Sequence, residues 1–101
     1  MQLAKIVGTV VCTRKDERMN GMKFLVVQPV GLLDLKPEGK PLVAVDAVGA
    51  GESELVLIVS GSSARLTAVT KDRPSDATIM GIVDYIDIEG KRVFSKGKTE
   101  I

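Results

Sequence analysis

The sequence has 101 residues, enough for one ordinary small domain with a modest core and too few for a core plus an independent second unit. Fourteen Lys and Arg stand against 13 Asp and Glu, a formal charge of +1 with no long basic or acidic block, which argues against a nucleic-acid footprint. A single cysteine and no histidine exclude an intrachain disulfide and an ordinary zinc site, and they leave general-base and nucleophilic catalysis without their usual groups.

In chain order, residues 3–12 are dominated by Val and Ile with no helical spacing of apolar positions, and they read as a strand. The apolar stretch inside it is too short and too β-branched for a secretory core, and no segment approaches the roughly 20 apolar residues that span a bilayer. A soluble, unexported chain in a reducing cytosol is expected. Asn20-Gly21 suits a turn needing positive φ, and residues 23–30 return as a second strand that Pro29 should end. Two prolines and two glycines over residues 31–41 predict an exposed loop of variable shape outside the working part. Residues 42–48 form a third strand, interrupted by the tight Gly49-Ala50-Gly51 connection before a fourth over residues 55–59. Ser60-Gly61-Ser62-Ser63 offers an N-cap for a short helix over residues 63–68. A polar loop holding Pro74 leads to the longest β-type run, residues 77–88, followed by a turn at Glu89-Gly90-Lys91 and a short terminal strand at 92–95. There is no internal repeat. The pattern predicts one domain, mainly β: a small OB-like five-stranded antiparallel β-barrel with one short helix.

A strand serving a small monomeric barrel should alternate apolar with polar residues, and several here do not. In the first strand Ala4, Ile6, Val10 and Cys12 share one side, while Leu3, Val7 and Val11 put apolar groups on the other. The fourth strand and residues 23–30 are also apolar on both sides. An outer apolar band in water is unfavourable by on the order of 25 cal/mol per Å2, so either a subunit interface or the chain's own loops must cover it.

Chemistry-bearing groups are sparse. Cys12 in an apolar strand reads as a buried structural thiol rather than a nucleophile, and the carboxylates Asp46, Glu52, Glu54, Asp84 and Asp87 are scattered over strand ends and turns. Base stacking would require exposed aromatics, and the aromatics are Phe24, Tyr85 and Phe94, two of them inside apolar runs. Gly49-Ala50-Gly51 lacks the Lys-Ser or Lys-Thr and the long helix of a phosphate loop, and reads as a turn. No catalytic, cofactor or metal site is expected.

Four pieces carry a resemblance: Ala4-Lys5-Ile6-Val7-Gly8-Thr9-Val10-Val11 with Lys15; Asp46-Ala47-Val48-Gly49-Ala50-Gly51; Val59-Ser60-Gly61-Ser62-Ser63-Ala64-Arg65; and Pro74-Ser75-Asp76 leading into Ile82-Val83-Asp84. In this order and spacing, over nearly the whole chain, the sequence resembles the EutN/CcmL family of bacterial microcompartment vertex proteins. The resemblance implies a single shell-vertex domain over residues 1–101, with no enzymatic activity and no cofactor. It further implies a ring of identical subunits, usually a homopentamer with a hexamer as the other ring size, closing shell vertices beside hexagonal shell proteins in the cytoplasm. Nucleic acid and membrane are not among the implied partners. By the same analogy Gly49, Ala50, Gly51 and Glu52 are candidates for the loop at the ring axis, and Leu3, Val7, Val11, Ser62, Ser63 and Arg65 for the subunit interface. Ser75 and Ser53 depart from the family pattern, which often has Val and Gly there. The competing reading is a free oligomeric OB-like module that binds nucleic acid or a small ligand.

Overall fold

Val, Ile and Leu fill most interior strand positions, where their side chains pack on a pleated, half-buried surface. The computed structural model describes residues 1–71 and 76–97, so Pro74 and Ser75 lie outside the described residues. Its strands are β1 (Gln2–Val10), β2 (Phe24–Pro29), β3 (Leu42–Asp46), β4 (Leu55–Ser60), β5 (Ala77–Ile82), β6 (Tyr85–Ile88) and β7 (Lys91–Ser95). The first five close into the expected barrel in the order β1-β2-β3-β5-β4, with β4 returning to β1. The β3–β5 seam is parallel and short, pairing Val45 with Thr78 and Asp46 with Ile79, while the other seams are antiparallel. Ile6, Leu25, Val27, Val56, Ile58 and Ile79 fill the interior with the small side chains of Ala4, Ala44, Ala50 and Ala77.

A β-bulge decides which way β1 faces. Ile6 pairs with Val27 and Gly8 with Val26, so Val7 has no partner of its own and the alternation reverses beyond it. Ala4 and Ile6 point into the barrel, whereas Val10, paired with Phe24, packs on a separate cluster of Met22, Phe24 and Val45. The side expected to be shared by Ala4, Ile6, Val10 and Cys12 is therefore split. Cys12 lies past the end of β1 and is exposed, not buried.

The run expected as one strand over residues 77–88 is two. At Val83 and Asp84 the chain leaves the barrel: the Val83 N–H donates to the Leu55 carbonyl, and the Asp84 carbonyl accepts from the Lys96 N–H. Beyond that point β6 and β7 form a separate two-stranded sheet, turned by Glu89 and Gly90 in left-handed conformations at φ 50° and 79°. Phe94 from β7 then packs with Leu3, Val30 and Leu55 on the outside of the barrel. Part of the two-faced character of β1 and β4 is thus satisfied inside the chain.

The helix expected over residues 63–68 is a single 3-10 turn at Gly61–Arg65. Gly61 starts it early, at φ 70° with its N–H on the Asp76 carbonyl. The Thr78 hydroxyl occupies the Ala64 carbonyl, which a continuing α-helix would need for its own ladder. A second 3-10 turn, Glu17–Met19, is capped by Asp16, whose carboxylate accepts from the Arg18 N–H and is held at a pKa of about 2 by its hydrogen bond with the Arg18 side chain. Residues 31–41 form the expected loop, mostly exposed and braced by its own backbone bonds. Gly31 N–H donates to Lys36 O, Leu35 N–H to Gly31 O and Glu38 N–H to Pro29 O, leaving Leu32 and Leu33 exposed at its tip.

Candidate functional site

The connection from β3 to β4 is organised by one carboxylate. Asp46 ends β3 with its side chain only 3% exposed. Its Oδ1 accepts the N–H groups of Val48, Gly49 and Ala50 at 3.0, 3.1 and 3.2 Å, so three consecutive backbone donors converge on one oxygen. Asp followed by a glycine-containing turn is the local signal for such an arrangement, because a short carboxylate reaches its own backbone two or three residues on. Lys23, at the start of the neighbouring strand, donates Nζ to the Ala50 carbonyl at 3.0 Å and lies 3.7 Å from Asp46 Oδ2.

The far end of the loop is held by Glu54. Oε1 accepts the Gly51 N–H at 2.7 Å, and Oε2 accepts from Lys96 Nζ at 2.6 Å. The Lys96 ammonium and the Gly51 N–H, in that order of weight, hold the Glu54 carboxyl below its ordinary range, and the same contact raises Lys96. Backbone bonds from Ser53 N–H to Ile6 O and from Ile6 N–H to Glu54 O fasten the loop to β1. Gly49 sits at φ 79° and Ser53 at φ 68°, a region that disfavours residues with a Cβ.

Of the four residues expected at the ring axis, Gly49 and Glu52 are exposed and Gly51 is half-buried. Ala50 is 1% exposed and belongs to the barrel core, so its side chain has no surface to offer at an axis. The four residues that hold the loop, Asp46, Lys23, Glu54 and Lys96, were not singled out as site residues by sequence. Asp46 had a local signal; Lys96, 42 residues from Glu54, had none.

The expected interface residues divide similarly. Leu3 is 8% exposed and packs with Phe94, so most of its outward face is covered by its own chain. Val7 at the bulge and Val11 past the strand end are 50% and 84% exposed. Ser62, Ser63 and Arg65 are exposed on the 3-10 turn around the buried Ala64. A crevice of about 230 Å3, lined by Val10, Cys12, Phe24, Val43 and Ala77 among others, runs from the end of β1 to Asp76 beside that turn.

Among the described residues no cluster of His, Cys, Asp or Glu is placed to hold a metal, and no helix is long and apolar enough to cross a membrane. Phe24 and Phe94 are buried, and exposed Tyr85 carries the Arg92 guanidinium 4.1 Å from its ring centre. Of the three aromatics, Tyr85 alone is exposed, on the hairpin rather than the barrel.

A family model described as ethanolamine utilisation protein EutN/carboxysome matches residues 1–84. The chain belongs to the EutN/CcmL family. The carboxysome shell vertex protein CcmL of Synechocystis is 45% identical over 100 residues, spanning 95% of each chain. The structure of Gloeobacter violaceus CcmL superposes with a TM-score of 0.89 at 40% identity, over 95% of this chain and 98% of that one. A pentameric microcompartment shell protein, GrpN of Rhodospirillum rubrum, superposes with a TM-score of 0.77 at 43% identity, over 87% of this chain and 98% of that one. As an EutN/CcmL barrel, the chain carries its family-like Asp46–Gly51 piece as the carboxylate-centred loop, and its Val59–Arg65 piece as the end of β4 and the 3-10 turn around buried Ala64.

Proposed function

We propose that this chain is a structural subunit of a bacterial microcompartment shell, assembling as a cyclic homopentamer that closes the shell's vertices. The observation that carries the reading is whole-chain similarity, in sequence and in fold, to carboxysome shell vertex proteins. The pentameric GrpN structure supports the ring size. The chain's own surface is in keeping with it: after the hairpin and loops have covered what they reach, Val7, Val11, Val43, Val48 and Leu66 are still between 40% and 84% exposed. A ring made by a heterologous interface joins two different patches of each subunit, so apolar residues spread over β1, β3 and the loops suit it better than one self-complementary face. A five-fold ring set into a hexagonal layer supplies the curvature that closes a polyhedron, and hexagonal shell proteins are the partners at its rim. The role is geometric and requires no catalytic group.

Within the ring, the loop carrying Gly49, Gly51 and Glu52 is the candidate for the axis, and Val7, Val11, Ser62, Ser63 and Arg65 are candidates for contacts between subunits. Native mass spectrometry of the purified chain at low micromolar concentration tests the assignment. A discrete pentamer is expected; a monomer at every accessible concentration would return the chain to the class of free OB-like binding modules.

A further inference from the structure

The family model ends at residue 84, just before β6 begins, yet the β6–β7 hairpin is tied back into the body of the protein. Phe94 anchors it on Leu3 and Leu55, and the Lys96 N–H closes onto the Asp84 carbonyl at 2.7 Å. A third tie runs through a side chain shared with the β3–β4 loop. Glu54 turns one carboxylate oxygen to Lys96 Nζ and the other to the Gly51 N–H. Beside this bridge a crevice of about 250 Å3, lined by Glu52, Ser53, Phe94 and Lys96 among others, separates hairpin from loop, so the bridge rather than continuous packing joins them there.

We propose that Glu54 is a positioning residue that couples the C-terminal hairpin to the loop at Gly51. A glutamate side chain left alone samples several rotamers, and most of them carry its oxygens away from any one backbone donor. The Lys96 ammonium selects the rotamer in which Oε1 meets the Gly51 N–H, and the second cation near Glu54, Lys23, favours the ionised form without taking over that contact. The Asp84 charge adds a smaller contribution that also favours the charged form of Lys96. Hairpin position is thereby read by the loop, and coupling of this kind acts in both directions. On the reading of this loop as the axial one, a shell partner gripping the hairpins would tighten or loosen five loops at the ring centre.

The test is amide hydrogen exchange, resolved to single residues by NMR or by fragmentation mass spectrometry, on the full chain with its assembly state checked by native mass. In Lys96→Ala, which removes no atom bonded to Gly51, exchange at the Gly51 amide is expected to rise roughly two- to fivefold, the scale set by an exposed ion pair. Lys96→Arg, which retains a cationic donor, should restore most of the protection. The core amides of Leu25 and Ile58 should not move in either variant. Unchanged Gly51 exchange in Lys96→Ala would overturn the coupling, and so would a rise shared equally by Leu25 and Ile58, which would mark general loosening. A monomeric wild type would remove the ring reading alone, because Gly51 reports on the coupling with or without a ring.

Discussion

Replacing Asp46 with alanine tests whether one carboxylate organises the β3–β4 loop. The substitution deletes the acceptor of three N–H groups, those of Val48, Gly49 and Ala50. Ala50 is buried, so its N–H would be left without water or protein partner, at about 1–3 kcal/mol. Val48 and Gly49 are exposed residues whose N–H groups can recover water, so each loss costs below about 1 kcal/mol. The sum is about 3 kcal/mol, and at about 4–8 °C per kcal/mol for a domain of this size the midpoint should fall by roughly 12–24 °C. Asp46→Asn keeps an oxygen for the three N–H groups but loses the charge assistance and the ion pair with half-exposed Lys23, so about 1–2 kcal/mol is expected. Thermal unfolding followed by circular dichroism measures both, at matched subunit concentration because assembly makes the midpoint concentration-dependent. An alanine variant within about 1 kcal/mol of wild type would refute the reasoning, as would an asparagine variant as unstable as the alanine one.

Val7→Asp and Val11→Asp place a charge at exposed positions where the isolated subunit should change by no more than about 0.5 kcal/mol, so loss of ring mass with unchanged subunit folding is expected; intact rings in both would remove these residues from the interface. Ser53→Gly should stabilise the protein by about 0.5–1 kcal/mol, because Ser53 holds φ 68° without the freedom of glycine; an unchanged or lower denaturation midpoint would count against strain at that position. Phe94→Ala removes a side chain that is 3% exposed, a truncation worth about 3 kcal/mol or more. Its effect should appear as lost exchange protection in β6 and β7 with the barrel strands still protected, and uniform loss across β1 to β5 would contradict the hairpin as a separable unit.

Local chemistry carried much of this protein in readable form. β-Branched runs, glycine turns and proline stops located the first four barrel strands to within a few residues, since each depends on near neighbours in the chain. The absence of histidine and the single cysteine likewise limited the chemistry without reference to any fold. The order and spacing of four short pieces carried the family, three of which are the bulged first strand, the Asp46 loop and the 3-10 turn around Ala64.

What escaped was set by tertiary contact. The bulge at Val7 reversed the facing of β1, and a period-two reading has no means to see one residue left unpaired. Which element covers the outward side of Leu3 is invisible locally, because Phe94, which packs on it, lies some ninety residues away in the chain. Residues 77–88 read as one strand because Val83 is as strand-like as its neighbours; only the competing bonds to Leu55 and Lys96 divide it. Glu54 and Lys96 are ordinary surface charges in sequence, and only closure of the barrel with the hairpin laid across it brings them to 2.6 Å. By itself the sequence determined the first four strands, the poverty of reactive groups and the family pattern, all of which depend on local spacing; the tertiary structure decided where the fifth strand ends, which apolar faces stay open and which charges meet, because these depend on residues far apart in the chain.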